Sequence, residues 1–402
     1  MCPILSQFPK PKPKLMKKQV FLFLVLLVLA PMAKAQHLEA DLTDSAFASV
    51  LTCGPGEEFY TSFGHSAIRV CDSTLGLDLV YNYGTFDFDK PHFYWSFACG
   101  RLDYCLSRTT YESFLFEYAY EGRAVWEQKL RISKQELNNL FVLLETNYLP
   151  QYRYYSYDFF RDNCATRVRD MVVNCLDHRR LSPKTVADTN LSYRDIVYKN
   201  TEESLLWWRL GVDIALGQRC DHRCSNYEYM FSPIEMMHLL DTMKVDNTQQ
   251  PVVDPSQQVL AETRMPLARS ISPTLLFWVL FFVVLLLTLF EWSKNWRLNW
   301  LDAIIYSVTF LVSVLVVFLW FFTEHYCTKP NFNILWASPL FLYFAIAQRR
   351  SKQWMICLQM VMLLAAMVMT IGPLPQQLNE AILPISLILF CRLLANLRHR
   401  VR

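Results

Sequence analysis

The sequence predicts two unlike halves: an exported α+β domain, then an all-α transmembrane domain of about five helices. Three observations carry this. Hydrophobic residues make up 53% of the 402 but are unevenly spread, with residues 37–265 mixed and punctuated with charge and residues from 273 onward mostly apolar. The N-terminus has the form of an export signal. The basic residues of the apolar half are concentrated in alternate loops. A formal net charge of +3, with no dense basic stripe, makes no case for nucleic acid as a partner.

The first element is the signal. Lys17 and Lys18 after Met16 are its basic region, Val20 to Leu29 its short apolar core, and Ala33-Lys34-Ala35 before Gln36 fits cleavage after small residues. Residues 1–15 read as an upstream extension, with Met16 a candidate start; an uncleaved signal anchor would export the chain equally. The predicted organisation is a signal over 1–36, a periplasmic domain over 37–242, a linker over 243–270 and a transmembrane domain over 271–402. The linker is read from Pro251, Pro255 and several glutamines.

Within the soluble half, Ala48–Cys53, Ser66–Cys71, Leu77–Tyr83 and Ala124–Ile132 alternate or cluster apolar residues as strands do, with turn residues between the first three. Lys134–Asn147 and Ala165–Leu176 carry apolar residues at helical spacing. Of the twelve cysteines, nine from Cys53 to Cys327 fall outside the cytoplasm on this plan, where Cys220/Cys224 or Cys99/Cys105 could pair. Nine is odd, so at least one thiol stays free.

Pro273–Trp292, Trp300–Phe322, Ile334–Ala347, Trp354–Ile371 and Ala381–Leu397 are the expected spans, against the roughly 20 apolar residues a bilayer asks for. The third is short and contains Pro339, which predicts a kinked helix or a re-entrant segment. Lys294 and Arg297, then Arg349, Arg350 and Lys352, then Arg398, Arg400 and Arg402 mark the cytoplasmic side, while the alternate loops hold only Lys329. This positive-inside pattern predicts an inner-membrane protein with an outside soluble domain and a cytoplasmic C-terminus.

Two short segments carry chemistry. Gly64-His65-Ser66 places a histidine at the start of an apolar strand, and Asp162-Asn163-Cys164 places a cysteine at the start of a helix. Unpaired N–H groups at a helix N-terminus lower a thiol pKa and can receive an oxyanion. A histidine nearby can take the thiol proton and return it to a leaving group. Alone, Cys164 would read as a small core residue and His65 as a structural one; together, in an exported domain, they read as a nucleophile and its base.

The order His-on-strand then Asn-Cys-on-helix resembles the circularly permuted papain-like thiol enzymes, the lecithin:retinol acyltransferase group. The larger match, through Leu51–Gly56, Phe63–Val70, Tyr81–Phe86, Asn163-Cys164, Gly211–Asp213, Leu216-Gly217 and Asn331–Ala337, resembles the Lnb family of Bacteroidota lipoprotein N-acyltransferases. That resemblance spans nearly the whole mature chain. It implies a papain-like fold and transfer of an acyl chain from a membrane phospholipid, through a Cys164 thioester, to the α-amine of a diacylated lipoprotein, with His65 as base. It requires no cofactor and no metal. The second histidine common in the retinol-acyltransferase group is missing; Asn82 stands on the next strand instead and is the candidate to orient His65.

Tyr157 and Arg161 are candidate oxyanion or headgroup contacts, and otherwise stabilise the fold. His325, Asn333 and Trp336 are candidates for the wall of a lipid site facing Cys164; their plainer reading is solvated span ends and a membrane anchor. His222 beside Cys220 and Cys224 lacks the second ligand pair of a zinc site. No phosphate loop and no Gly-x-Ser-x-Gly elbow occurs, so neither nucleotide nor serine-esterase chemistry has support. Two other readings use the same residues: a periplasmic cysteine peptidase or amidase acting on cell-wall peptides, and a non-catalytic membrane scaffold or sensor in which Cys164 is core. Five spans count against the first, because a wall hydrolase needs at most one anchor.

Overall fold

A computed structural model describes residues 41–401 apart from 59–60, 87–90, 102, 177–180, 183–189, 202–204, 246–247, 266–269 and 373–374. The expected signal over 1–36 lies outside the described residues. The soluble part is organised by a seven-stranded sheet. Its strands are β1 (Phe47–Cys53), β2 (His65–Asp72), β3 (Leu77–Thr85), β4 (Asp103–Thr110), β5 (Val125–Lys129), β6 (Tyr154–Ser156) and β7 (Gln257–Leu260). The order is β6-β4-β3-β2-β1-β5-β7, every pair antiparallel, with β2 at the centre.

Alternation along the central strands gives the sheet two apolar faces. Val50, Ile68, Val70 and Tyr81 point to one side, where Leu140 and Leu144 of α3 and Val168 and Val172 of α4 cover them. There α1 is Phe93–Ala98, α2 is Tyr111–Tyr120, α3 is Lys134–Tyr148 and α4 is Cys164–Cys175. Leu51, Ala67 and Val80 point to the other side, against Phe114 of α2. The four strands and two helices expected of this half are present. β4, β6 and β7 were not predicted, and the segment expected as a linker is largely part of the domain. Met243, Val245, Val252 and Val253 are buried there, and β7 pairs with β5. Its polar composition is that of an edge strand whose side chains face water.

Past α5 (Tyr193–Lys199), α6 (Leu206–Ala215), α7 (Asn226–Tyr229) and α8 (Pro233–Thr242), the chain turns into the membrane domain. It comprises α9 (Pro273–Lys294), α10 (Asn299–Phe321), α11 (Leu340–Ala347), α12 (Gln353–Ile371) and α13 (Ile382–Val401). Among the described residues, α9, α10 and α12 are long and apolar enough to cross a membrane. The third expected span is short, as its sequence predicts: α11 has eight residues, about 12 Å of helix. Its intended first half is a 3-10 turn, Phe332–Leu335, and the helix restarts only at Pro339, which cannot donate a hydrogen bond to continue one. α13 carries a buried charge, Arg392, bonded to Asp302 of α10 at 2.6 Å and Glu291 of α9 at 2.7 Å. Pairing of this kind is how an ionised residue persists inside a helical membrane domain.

One joint ties the halves together. The Arg194 guanidinium is fully buried and donates to Asp213 at 2.8 Å and Asp221 at 2.6 Å. Asp213 also accepts from Tyr198 at 2.6 Å and, from the membrane domain, Asn379 at 2.7 Å. The last carbonyls of α6, which a helix end leaves without internal donors, are met by the side-chain amides of Asn331 and Asn333. Gln376 closes the set, donating to Leu216 O and accepting from Phe332 N. Asp213→Ala strands part of the Arg194 charge in the interior, a loss of about 3–5 kcal/mol. Thermal unfolding of the detergent-solubilised protein should show a clearly lowered midpoint, and an unchanged one would mean the joint does not depend on this pair.

Candidate active site

His65 opens β2, and its position depends on the residue before it. Gly64 has φ +81°, and a Cβ there would collide with the carbonyl oxygen of Cys53, so only glycine turns the chain into the strand at this point. Cys164 opens α4, and Asn163 fixes where that helix starts. Asn163 Oδ1 accepts from Thr166 N at 2.9 Å, and its own N–H donates to Thr166 Oγ1 at 2.7 Å, a closed capping box. Its Nδ2 donates to Phe159 O and Phe231 O, both at 2.8 Å. The asparagine before the cysteine thus caps the helix and anchors it to two loops.

The two elements converge on one cavity of about 380 Å³, lined among others by His65, Asn82, Gly84, Arg123, Tyr157 and Cys164. A shift of register in the β3–β4 pair between Asn82 and Thr85 bends β3 over the start of α4. Gly84, at φ +88°, then faces the cysteine, and a Cβ on it would lie 3.5 Å from Cys164 Cβ. The Asn82 side chain lies close enough to the His65 ring to favour its charged form. The backbone N–H groups of Ser66, Cys164 and Ala165 lie near the Cys164 sulfur and favour its charged form. Together they form a set of donors at the point where an acyl oxygen or a thiolate would carry charge.

Burial decides the protonation states. It pushes the Cys164 thiol up, against the three N–H groups and the distant charge of Arg123. It pushes the His65 ring down to about 4, with Arg123 acting in the same direction and Asn82 opposing. The helix N-terminus was expected to hold a thiolate. Desolvation works against it: burial favours the neutral thiol and the neutral imidazole, which line the same cavity.

The remaining candidates separate. Tyr157 stacks on Tyr104 with ring centroids 4.0 Å apart and lines the cavity. His325 lies in a neighbouring cavity of about 300 Å³, close to Gly100. Arg161 does not line either cavity: it pairs with Asp158 at 3.4 Å and lies 3.8 Å above the Tyr326 ring. Asn333 and Trp336 are buried in the joint, where Trp336 Nε1 donates to Asn333 Oδ1 at 2.8 Å, so neither forms a lipid-site wall or an interfacial anchor. The disulfide pairing was left open by the sequence. Cys99, Cys105, Cys220 and Cys224 are free thiols, and Cys220 Sγ lies 3.6 Å from Cys327 O instead.

Sequence reasoning missed Arg123 and Tyr104. Arg123 is almost fully buried, donates to Gly54 O at 2.9 Å and pairs with Glu121 at 2.8 Å. It reaches the cavity because β5 lies next to β1, a neighbourhood no spacing in the sequence encodes.

A histidine-bearing strand followed in sequence by a cysteine-bearing helix, on an α+β domain fastened to membrane helices, defines a membrane-anchored α+β domain with a candidate thiol site. The family model for the Lnb N-terminal periplasmic domain matches residues 34–196, and that for the Lnb transmembrane domain matches residues 266–402. The chain belongs to the Lnb family, which is of the lipoprotein N-acyltransferase type, and is an inner-membrane protein with a periplasmic domain. No curated protein and no solved structure matches it.

A neutral thiol has a measurable signature. Alkylation of Cys164 by iodoacetamide should be slow at pH 7 and should still be climbing above the ordinary thiol range, about 8.5. A rate that is already flat below pH 7 would mean a preformed thiolate–imidazolium pair.

Proposed function

We propose that the protein is a thiol-dependent N-acyltransferase that moves an acyl chain from a membrane phospholipid to the N-terminal α-amine of diacylated lipoproteins. The observation that carries this reading is the convergence of Cys164, His65 and Asn82 on one cavity in a domain fastened to membrane helices. Donor and acceptor are both lipid-anchored, so a site held at the membrane surface meets both.

In the first half-reaction Cys164 Sγ attacks the ester carbonyl of the phospholipid while the neutral His65 ring takes the thiol proton. The N–H groups of Ser66, Cys164 and Ala165 face the developing charge. The ester C–O bond breaks, His65 returns the proton to the leaving alkoxide, and lysophospholipid departs. In the second half-reaction the free α-amine of the diacylglyceryl-cysteine attacks the thioester, His65 accepts the amine proton, and the thiol is regenerated. Asn82 orients the ring. Tyr157 shapes the acyl site. The basic loops at Lys294, Arg297, Arg350, Lys352 and Arg398 support a cytoplasmic C-terminus.

Mass spectrometry of lipoprotein N-termini tests the reading. Wild-type cells should carry triacylated N-termini, while cells with a deletion, Cys164→Ser or His65→Ala should carry only diacylated ones. Identical lipidation in all four strains would remove the acyltransferase reading. A second test concerns pH. Activity needs the neutral His65 ring, so the acid limb of kcat/KM should sit near pH 4. Asn82→Asp puts a carboxylate beside that ring, favours imidazolium, and should move the limb upward by about a unit or more. An unmoved limb would disconnect Asn82 from His65.

A further inference from the structure

A second cavity adjoins the first. It measures about 300 Å³ and takes its walls from both halves of the protein: Val212 and Ala215 of α6, Leu319 at the outer end of α10, and Cys327 in the following loop. Phe63, Tyr104, Tyr157 and Phe159 line both cavities, so four aromatic residues form the partition beside Cys164. They are paired, Phe63 with Phe159 edge-on at 5.0 Å and Tyr104 with Tyr157 stacked at 4.0 Å.

The polar groups on this wall are already engaged. His325 sits against the backbone of Phe97 and Ala98, which favours its charged form, while burial pushes its pKa down. Asp158 accepts from Phe160 N at 3.1 Å and Arg161 N at 3.0 Å. A headgroup or an amine would find few free partners there, whereas an alkyl chain needs none. The outer rim points to the source of such a chain. Trp95 of α1 packs on Phe318, the neighbour of Leu319, at 5.7 Å, and Tyr94, Trp95 and Phe97 are all exposed. Aromatic rings at the end of a membrane helix belong at the level of the lipid headgroups.

We propose that this cavity holds the acyl chain being transferred and sets its length. The chain lies with its carbonyl at Cys164, crosses the aromatic partition, and ends among Val212, Ala215 and Leu319. This rests on the acyl-transfer reading above, and it adds a specificity site which that reading does not contain.

The test uses the full-length protein in lipid nanodiscs, a synthetic diacylglyceryl-cysteine peptide, and phosphatidylethanolamine carrying either palmitoyl or octanoyl chains. Ala215→Phe and Val212→Trp fill the cavity and should lower the palmitoyl-to-octanoyl ratio of kcat/KM by about tenfold or more, since pocket length discriminates by methylenes. An unchanged ratio in active variants overturns the proposal. A second measurement does not depend on those variants folding. Cys164→Ser protein is irradiated with a phospholipid bearing a diazirine at the chain end. Adducts on the peptides containing Val212–Leu216 or Leu319–Thr328 support the site, and adducts confined to the lipid-facing sides of α9, α10 and α12 overturn it. Failure of the wild-type protein to acylate the peptide from either donor would instead defeat the acyl-transfer reading.

Discussion

The bond between Arg194 and Asp213 is the constraint on which the two-part architecture rests. Both side chains are out of reach of water, and a buried ion pair left incomplete is strongly destabilising. Here it is completed from both sides: Asp221 and Tyr198 come from the soluble half, and Asn379 from the membrane half. The surrounding amides bind to α6 through backbone carbonyls, so they fix the position of the helix and not merely one side chain. Helix α6 is therefore tied directly to the membrane domain. The apolar cavity exists because this joint brings α6 and the end of α10 to its opposite walls.

The site itself is governed by desolvation. A helix N-terminus, three backbone donors and an arginine all favour negative charge on the sulfur, and burial still prevails. The same burial empties the imidazole of its proton. These two effects are consistent with each other. A base that takes the thiol proton only as the thiol attacks needs both partners neutral at rest, and the N–H groups then act on charge that appears during the reaction. Gly64 and Gly84 make this arrangement possible: a Cβ at Gly64 would collide with Cys53 O, and both hold left-handed φ values that side chains resist.

Much of this was legible in the sequence, for physical reasons that differ by element. The central strands, α3 and α4 declared themselves because their apolar residues follow the strand and helix periods. His65 and Cys164 were legible because each sits at the start of its element, next to a residue with a local job, Gly64 or Asn163. Asn82 was singled out by its position on the next strand, and it lines the same cavity. β4, β6 and β7 were missed because edge and near-edge strands expose polar side chains and lose the alternation signal. Asn333 and Trp336 looked like lipid contacts because polar and aromatic residues collect at span ends. Asn333 is claimed by an α6 carbonyl 120 residues away in sequence, and Trp336 is drawn in with it by its bond to Asn333. Arg123 was unreadable for the same reason.

The neutral state of Cys164 has a consequence for survival in the periplasm. Hydrogen peroxide and small disulfides react with thiolates, and the reaction slows as the thiolate fraction falls. A sulfur kept protonated inside the fold is a poor target for such oxidants between encounters with lipid. On the proposed acyl-transfer reading, its reactivity is needed only when an ester already occupies the cavity and shields it from the surrounding solution. The chemistry that makes the thiol slow to wake also preserves it in a compartment that destroys exposed, ionised cysteines.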